Sequence, residues 1–276
     1  MLIGNREFDT ENGVYVMGIL NVTPDSFSDG GLWTERDAAL RQAGRMAEEG
    51  AAIIDIGGES TRPGHTPVSA EEEAARVLPV IEAVKRETGL PVSIDSYKAS
   101  VARAALEAGA DMVNDIWGLR HDSGEMAALI AETGAACCLM HNRERAEYAD
   151  FMADMLSDLR ETLAIADRAG IARSRIVLDP GIGFGKSYEQ NLIAMNRLDE
   201  LLTLGCPVLL AASRKSVIGL TLDLPADQRL EGTIATTVAG VLRGAAFVRV
   251  HDVKENLRAA RMALAIRREA GFDARL

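Results

Sequence analysis

The sequence is poor in cysteine and in positive charge, and each shortage excludes a class of protein. It has three cysteines in 276 residues, and 41 acidic side chains outnumber 30 basic ones. An odd, small number of cysteines cannot form a disulfide framework, so we expect Cys137, Cys138 and Cys206 to be buried thiols. A net charge of −11 argues against non-specific nucleic-acid binding, which needs a basic face. An anionic substrate stays possible, because a few local cations can oppose the global sign.

Long apolar runs are also missing. No stretch approaches the roughly 20 apolar residues that span a bilayer. Residues 1–10 lack the charged-then-apolar pattern of a signal peptide. We therefore expect a soluble, cytoplasmic protein with no membrane partner. Hydrophobic residues make up 47% and charged residues 26%, which is the balance of a folded globular chain.

What the sequence does contain is a repeated unit. A helix-like segment rich in Ala, Glu and Arg ends at a glycine, and a short apolar run then ends in polar residues. Glycine is the expected left-handed cap at the end of a helix, and unbroken apolar runs are typical of parallel strands covered on both faces. The glycines are Gly50, Gly89, Gly109, Gly134, Gly170, Gly205 and Gly244.

Seven such runs, together with the earlier segment GVYVMGILN, give eight strands that alternate with helices. This number and rhythm predict an α/β fold, a (β/α)8 TIM barrel that forms a single domain over residues 1–276. A doubly wound open sheet shares the alternation and is the rival fold. Eight units without a linker or a break in composition favour the closed barrel.

Polar residues collect where the predicted strands end, which is where barrel active sites lie. Asp or Asn after a strand often only caps the next helix. For Asp55, Asp115 and Asn142, that explanation is at least as good as a functional one. The strand-end residues are Asn21, Asp55, Asp95, Asn114, Asp115, His141, Asn142, Asp179, Lys215, Arg249 and His251.

Three of these residues are harder to explain as caps. Asp95 and Asp179 end the apolar runs VSID and IVLD, where a carboxylate is costly to bury unless a cation or hydrogen-bond donors compensate. Lys215 follows the run PVLLAASR and would supply such a cation. A surface lysine is the weaker alternative for this position.

The stretch VRVHD predicts an anion site. Side chains alternate along a strand, so Arg249 and His251 share one face while two valines share the other. With the valines facing the helices, the arginine and the histidine point into the barrel mouth beside Lys215. A structural pair between Arg249 and a buried aspartate is the less favoured alternative.

Two long loops follow the first and second strands. Residues 21–31 read NVTPDSFSDGG and residues 57–68 read GGESTRPGHTPV. Their Gly, Pro, Ser, Thr and Asp content is typical of turns, and long loops at a barrel mouth are natural lids. Ordinary surface loops are the alternative. The special residues of the two loops are Phe27, Asp29, Thr61, Arg62 and Pro63.

The remaining histidines and motifs give weaker signals. His65 and His121 lie in polar loops and are expected on the surface. His141 ends a strand without an evident partner, so a packed histidine and a ligand both stay open. The segment GIGFGKS looks like a phosphate-binding loop, but Pro180 occupies the position of its first glycine.

Taken in order, seven motifs resemble the dihydropteroate synthase family of folate biosynthesis. They are NVTPDSFSDGG, IDIGGESTRPG, SIDS, VNDI, LDPGIGFGK, SRK and VRVHDV, and they span residues 21–253. The resemblance implies a TIM barrel that forms a homodimer. It also implies condensation of 6-hydroxymethyl-7,8-dihydropterin diphosphate with 4-aminobenzoate, with release of diphosphate and help from Mg²⁺.

The family pattern gives matching residues roles in binding the pterin and the diphosphate. Arg249 would lie against the flat ring and reach the diphosphate, and His251 would bind a phosphate oxygen. Asn21 matches the family's Mg²⁺ ligand. The residues implied to hold the polar edge of the pterin are Asp95, Asn114, Asp179 and Lys215.

The same pattern implies an aminobenzoate pocket and a lid. Thr61 and Arg62 would belong to the second lid and touch the diphosphate and the aminobenzoate region. The implied catalytic work is electrostatic, because an arylamine is unprotonated at neutral pH and needs no strong base. Arg62, Lys215, Arg249 and His251 are the residues expected to carry it. The residues implied to border the aminobenzoate pocket are Pro63, Phe184, Lys215 and Ser216.

Two alternatives come from the same resemblance. A pterin-barrel methyltransferase would share the barrel and the Asp and Asn residues of the pterin edge, but it would not need two lids or VRVHD. A non-catalytic pterin-binding paralogue should have degraded lids, and both lid sequences are intact.

Overall fold

In the computed structural model, the chain is described for residues 1–23, 32–59 and 67–270. Eight parallel strands form one sheet in the order β8-β7-β6-β5-β4-β3-β10-β9. A bridge between Leu178 and Val208 joins the two ends of this order, so the sheet closes on itself. The closed barrel confirms the predicted (β/α)8 fold and rules out the open sheet. The strands are β3 (Tyr15–Asn21), β4 (Ile53–Gly57), β5 (Val92–Asp95), β6 (Met112–Asp115), β7 (Ala136–Met140), β8 (Ile176–Asp179), β9 (Leu209–Leu210) and β10 (Phe247–Val250).

Helices follow every barrel strand and cover the outside of the barrel. The glycine caps are confirmed, because each of the seven predicted glycines has a positive φ, such as 65° at Gly134. The α-helices of the described chain are α1 (Leu32–Glu48), α2 (Ala70–Thr88), α3 (Ala99–Glu107), α4 (Glu125–Thr133), α5 (Phe151–Ala169), α6 (Tyr188–Asn196), α7 (Ser216–Leu222), α8 (Leu230–Leu242) and α9 (Val253–Arg268). Short 3₁₀ segments lie at Arg173–Arg175, Leu198–Leu204 and Ala226–Gln228.

The core has two layers, one inside the barrel and one between the barrel and the helices. Two adjacent cysteines show that side chains along a strand alternate between these layers. Cys137 belongs to the layer between the barrel and the helices, whereas Cys138 belongs to the barrel interior. The same alternation sends Ile54 and Ile56 outward and leaves Asp55 inside. All three cysteines are buried and free, as predicted, and burial raises the pKa of the Cys138 thiol.

An N-terminal hairpin closes one end of the barrel. Strands β1 (Leu2–Ile3) and β2 (Arg6–Glu7) pair antiparallel and lead to Phe8, which is fully buried. The ring of Phe8 packs edge-on against Tyr15, with 4.8 Å between ring centroids. Tyr15 begins β3, so this apolar plug fills the end of the barrel where the strands start. Access to the barrel interior therefore lies at the carboxyl ends of the strands.

Within the described residues, no helix has the length and the apolar content to cross a membrane. The described parts of the chain form one barrel. The two loops interpreted as lids lie largely outside the described residues, and Phe27, Asp29, Thr61, Arg62, Pro63 and His65 are among the residues concerned.

Candidate active site

A buried arginine joins two aspartates at the carboxyl end of the barrel. Arg249 on β10 donates from Nε to Asp55 Oδ2 and from Nη2 to Asp95 Oδ2, and the donor–acceptor distance is 2.5 Å in both bonds. Asn114 at the end of β6 donates to the same oxygen of Asp55, at 3.3 Å. These four side chains come from different strands, and the shape of the barrel brings them to one place.

Two oxygens of this cluster have no partner. Asp55 Oδ1 and Asp95 Oδ1 are buried and accept no hydrogen bond from the described part of the chain. A buried acceptor without a donor costs about 1–3 kcal/mol, so such groups mark places where something else completes the bonding. A ligand that brings N–H donors would complete it.

The ionised form of Asp95 is poorly stabilised by the residues around it. Burial raises its pKa to about 7, although the Arg249 guanidinium opposes the shift, and the neighbouring Asp55 carboxylate adds to it. The carboxylate is therefore poised to change protonation near neutral pH. A strongly perturbed group of this kind, held in a polar cluster at a barrel mouth, is characteristic of functional sites.

Asp179 ends β8 and takes part in the same electrostatic system. Its Oδ1 accepts a hydrogen bond from the backbone N–H of Gly181 at 2.7 Å. Burial raises the pKa of Asp179, while Lys215 and the Gly181 N–H oppose that rise. Asp179 Oδ1 thus has a backbone donor, whereas Asp179 Oδ2 accepts no hydrogen bond from the described residues.

Lys215 lies between the β8 and β9 ends of the barrel. Its Nζ donates to the carbonyl oxygen of Ile182 at 2.5 Å and lies 4.8 Å from the centre of the Phe184 ring. Burial lowers the pKa of Lys215 to about 8, against the opposing effect of Asp179. Ser216 is the next residue, exposed at the start of α7. The structure therefore places Lys215 against Phe184, with Ser216 next to Lys215 in the chain, and their place at an aminobenzoate pocket stays a prediction.

The remaining strand-end residues lie at the rim. His251 follows β10, and its Nδ1 lies 2.9 Å from Ser213 Oγ, which also accepts from the His251 backbone N–H. Asn21 is the last residue of β3 and lies opposite Gly57 of β4. The predicted lid residues Thr61, Arg62 and Pro63 are outside the described residues, so their positions stay predictions.

The structure shows an Arg–Asp pairing that the sequence analysis disfavoured. Arg249 points into the barrel as its strand parity predicted, but its guanidinium is engaged by Asp55 and Asp95. Capping was an equally good explanation for Asp55, and it is wrong, because the Asp55 side chain faces the barrel interior. Arg249 keeps 14% of its side chain exposed, so it still borders the mouth.

Asp115 organises a turn, and His121 lies at the surface as predicted. The predicted helix cap is wrong for Asp115, because the next helix, α4, begins only at Glu125 and has Gly124 as its N-cap. The carboxylate of Asp115 accepts from the backbone N–H groups of Trp117 and Leu119, at 2.9 and 2.7 Å, and so organises the turn after β6. Burial raises the pKa of Asp115 to about 6. His121 is exposed, with its ring against Tyr97.

His141 is a packed residue with two charged partners. Its ring is fully buried between Asp158 Oδ2 and Lys186 Nζ, each 2.9 Å away. In the sequence, Lys186 stands in the segment LDPGIGFGKS, and that segment indicates no partner for His141. No local pattern could have paired them, because 45 residues separate the two side chains.

The described residues offer little for a metal ion. They contain no group of three or more His, Cys, Asp or Glu side chains placed to hold one. Asn21 supplies a single amide oxygen at the rim. A lone oxygen ligand fits Mg²⁺ that is held mainly by substrate phosphates, which is the usual arrangement for this ion.

Comparison with known proteins places these features in a family. A family model described as pterin binding enzyme matches residues 17–251. The dihydropteroate synthase of Clostridium beijerinckii is 56% identical over 95% of this chain and 97% of its own length. The dihydropteroate synthase of Bacillus subtilis is 55% identical over 93% of this chain and 90% of its own length.

Solved structures agree. A dihydropteroate synthase from Clostridium difficile, crystallised in the presence of pteroic acid, superposes with a TM-score of 0.92 at 52% identity, covering 94% of this chain and 99% of that one. A Xanthomonas albilineans dihydropteroate synthase in complex with 7,8-dihydropteroate superposes with a TM-score of 0.85 at 43% identity, covering 92% and 94% of the two chains.

Proposed function

The chain belongs to the pterin-binding enzymes, in the group of dihydropteroate synthases, and on that premise we propose its reaction. It condenses 6-hydroxymethyl-7,8-dihydropterin diphosphate with 4-aminobenzoate to give 7,8-dihydropteroate and diphosphate. The observation that carries this proposal is the cluster of Asp55, Asp95 and Arg249, in which two buried carboxylate oxygens lack donors. A pterin brings N–H donors on a flat edge, which is the complement of such a cluster.

The pterin edge is held by residues from four strand ends. The amino and ring N–H groups donate to the carboxylate of Asp179, whose Oδ1 is already fixed by Gly181. Lys215 donates to ring acceptors once it leaves the carbonyl oxygen of Ile182. Asp95 and Asn114 complete the polar contacts of the ring. Burial strengthens each of these bonds, because little water competes for them.

The leaving diphosphate is stabilised at the rim. Arg249 lies against the ring and reaches the diphosphate, His251 contacts a phosphate oxygen, and Arg62 adds a further cation from the second lid. When bound, Mg²⁺ neutralises charge that develops on the departing diphosphate, with Asn21 as the protein ligand. Cations aimed at developing charge accelerate bond breaking without any proton transfer.

The C–O bond to diphosphate breaks and leaves positive charge on the pterin methylene, which the electron-rich ring supports, and the arylamine then attacks this carbon. A new C–N bond forms, the electron pair of the old bond leaves with diphosphate, and one N–H proton is released. Phe184, Lys215 and Ser216 border the aminobenzoate pocket, together with Thr61 and Pro63 of the lid. The Lys215 ammonium lies over the Phe184 ring, 4.8 Å from its centre, at the border between this pocket and the pterin.

Two further proposals concern the setting of the reaction. We propose a homodimer, since large apolar side chains are exposed on the last three helices, among them Leu220 and Leu222 of α7, Leu242 of α8 and Met262 of α9. We also place the reaction in the cytoplasm. Sedimentation measurements on the purified protein test the first of these proposals.

Product formation tests the proposed reaction directly. The purified protein is given both substrates and Mg²⁺, and diphosphate and dihydropteroate are measured together. We expect equal amounts of the two products. Retained pterin binding without product would favour a non-catalytic pterin-binding paralogue. Methyl transfer from methyltetrahydrofolate without dihydropteroate would favour the methyltransferase.

A further inference from the structure

A second, partly buried lysine lies behind the proposed site and is not used by the reaction above. Lys186 Nζ lies 3.0 Å from the carbonyl oxygen of Phe184, 2.9 Å from His141 Nδ1 and 3.4 Å from His141 O. Burial lowers its pKa to about 7, while the Asp179 carboxylate opposes that shift. An ammonium group in so closed a place is costly unless its contacts serve the fold or the site.

The contacts of Lys186 continue into a chain of polar groups that runs through His141 to Asp158. Since an ammonium only donates, His141 Nδ1 must accept from it, which leaves Nε2–H to donate to Asp158 at 2.9 Å. Burial lowers the pKa of His141 to about 4, so the ring is neutral and keeps this tautomer near pH 7. Arg143 donates to the same Asp158 carboxylate, from Nε to Oδ2 at 2.6 Å and from Nη2 to Oδ1 at 3.1 Å.

This chain fastens one loop, residues 181–186, to the segment that follows β7. A Cβ at Gly181 would overlap the carbonyl oxygen of His141, and a Cβ at Gly185 would overlap that of Arg143. Both glycines also have positive φ, 71° and 52°. Tyr148 adds a hydrogen bond from its hydroxyl to the Gly185 carbonyl oxygen, at 2.7 Å. The loop therefore rests directly on neighbouring backbone.

The fastened loop carries two of the groups that surround Lys215. The carbonyl oxygen of Ile182 accepts from Lys215 Nζ, and the Phe184 ring lies beneath the same atom. The bond from Lys186 to the Phe184 carbonyl oxygen holds the backbone of the residue whose ring faces Lys215. A shift of residues 183–186 would move the Phe184 ring relative to Lys215 while the Gly181 N–H keeps its bond to Asp179, and it would not touch the pterin-edge residues of the other strands.

We propose that Lys186 is a positioning residue for the arylamine substrate. Its bonds to His141 and Phe184 hold the loop of residues 181–186 so that Phe184 and Lys215 enclose the aminobenzoate ring. This role rests on the proposed function, and it concerns one of the two substrates. Lys186 itself does not touch the reacting atoms.

The test compares Lys186→Met with Lys186→Arg and with a matched control. Lys85→Met is the control: it removes another partly buried lysine, which pairs with Asp111 away from the loop. It should leave KM unchanged both for 4-aminobenzoate and for the pterin diphosphate. In Lys186→Met we expect KM for 4-aminobenzoate to rise about tenfold, while KM for the pterin diphosphate stays within about twofold. Lys186→Arg keeps the charge and the donors, so it should recover part of the loss.

A milder variant and a second measurement keep the proposal testable. Tyr148→Phe removes only the hydrogen bond to Gly185, and it should change KM for 4-aminobenzoate in the same direction, less strongly. Amide hydrogen exchange in residues 182–186 should be faster in Lys186→Met than in the wild type, and unchanged in Lys85→Met.

The outcomes separate this proposal from the reaction itself. Equal changes of both KM values, or unchanged exchange in the loop, would overturn the role of Lys186 while leaving the synthase activity intact. A wild-type protein that makes no dihydropteroate would contradict the proposed reaction. The exchange measurement would then still decide whether Lys186 holds the loop.

Discussion

Arg249 and Asp95 are 154 residues apart in the chain, yet the Arg249 Nη2 lies 2.5 Å from the Asp95 Oδ2 inside the barrel mouth. The same guanidinium binds Asp55, so one cation serves two buried carboxylates. With Asp179 and Lys215 included, the cluster has three carboxylates and two cations. This surplus of acceptors explains why a ligand rich in N–H donors suits the site.

Removing the shared arginine should destabilise the fold. Arg249→Leu leaves Asp55 and Asp95 buried without their cation, and breaking a buried ion pair in this way costs about 3–5 kcal/mol. Urea unfolding at pH 7 measures the loss. The triple variant that adds Asp55→Asn and Asp95→Asn should recover much of the stability. No recovery would show that the arginine stabilises the barrel by packing instead of charge pairing.

Pterin binding should depend on the protonation of Asp95. Burial raises the pKa of Asp95 in the folded protein from 3.8 to about 7, so its protonated form contributes to the free energy of unfolding. That contribution is complete below pH 3.8 and is lost as the pH rises through 7. The ionised form is the one that accepts ligand N–H groups. Affinity for the pterin diphosphate should therefore increase between pH 5.5 and 8, by calorimetric titration. Asp95→Asn should bind more weakly and lack this increase, and a wild-type profile no steeper than that of Asp95→Asn would contradict the assignment.

The stability of the fold should fall at mildly acidic pH because of His141. Burial lowers its folded pKa from 6.5 to about 4, so the unfolded chain binds the proton more readily between these values. Stability present above pH 6.5 is then lost as the pH falls to 4, by about 3 kcal/mol at 1.36 kcal/mol per pKa unit. Urea unfolding at several pH values should show a shallower decline for His141→Gln than for the wild type. Equal declines of the free energy of unfolding in the two proteins would contradict His141 as the source of the pH dependence.

Arg62 should contribute to turnover more than to stability. The residues that flank its loop are anchored, because Lys98 Nζ pairs with Glu59 and donates to the Val68 carbonyl oxygen at 2.8 Å. Arg62→Ala leaves these anchors in place and removes one cation from the leaving diphosphate. We expect kcat to fall about 100-fold with an unchanged melting temperature. A lower melting temperature with normal kcat would make Arg62 a structural residue.

The strand positions could be predicted from the sequence, and so could the meeting of the strand-end residues at one mouth. The glycine caps and apolar runs mark the eight strands, and the carboxyl ends of parallel strands must meet at one mouth. The parity argument that sent Arg249 inward applies equally to Asp55, between Ile54 and Ile56. Applied there, it would have predicted the ion pair.

The Lys186 network could not be predicted in this way. Its members come from a strand end, a loop and the middle of α5, where Asp158 lies one turn from other charged residues that face solvent. Nothing local distinguishes Asp158 from those residues. Only the packing of the loop at 181–186 on the segment after β7 brings His141 between Asp158 and Lys186.

The central claim is that the Asp179 carboxylate accepts hydrogen bonds from the N–H groups of the pterin edge. A binding titration with Asp179→Asn tests it most directly. The amide cannot accept two N–H bonds as the carboxylate does, so affinity for the pterin diphosphate should fall about 100-fold while the unfolding midpoint changes little. Asp167→Asn, an exposed aspartate paired with Arg173, should bind like the wild type. Wild-type affinity in Asp179→Asn would contradict the account.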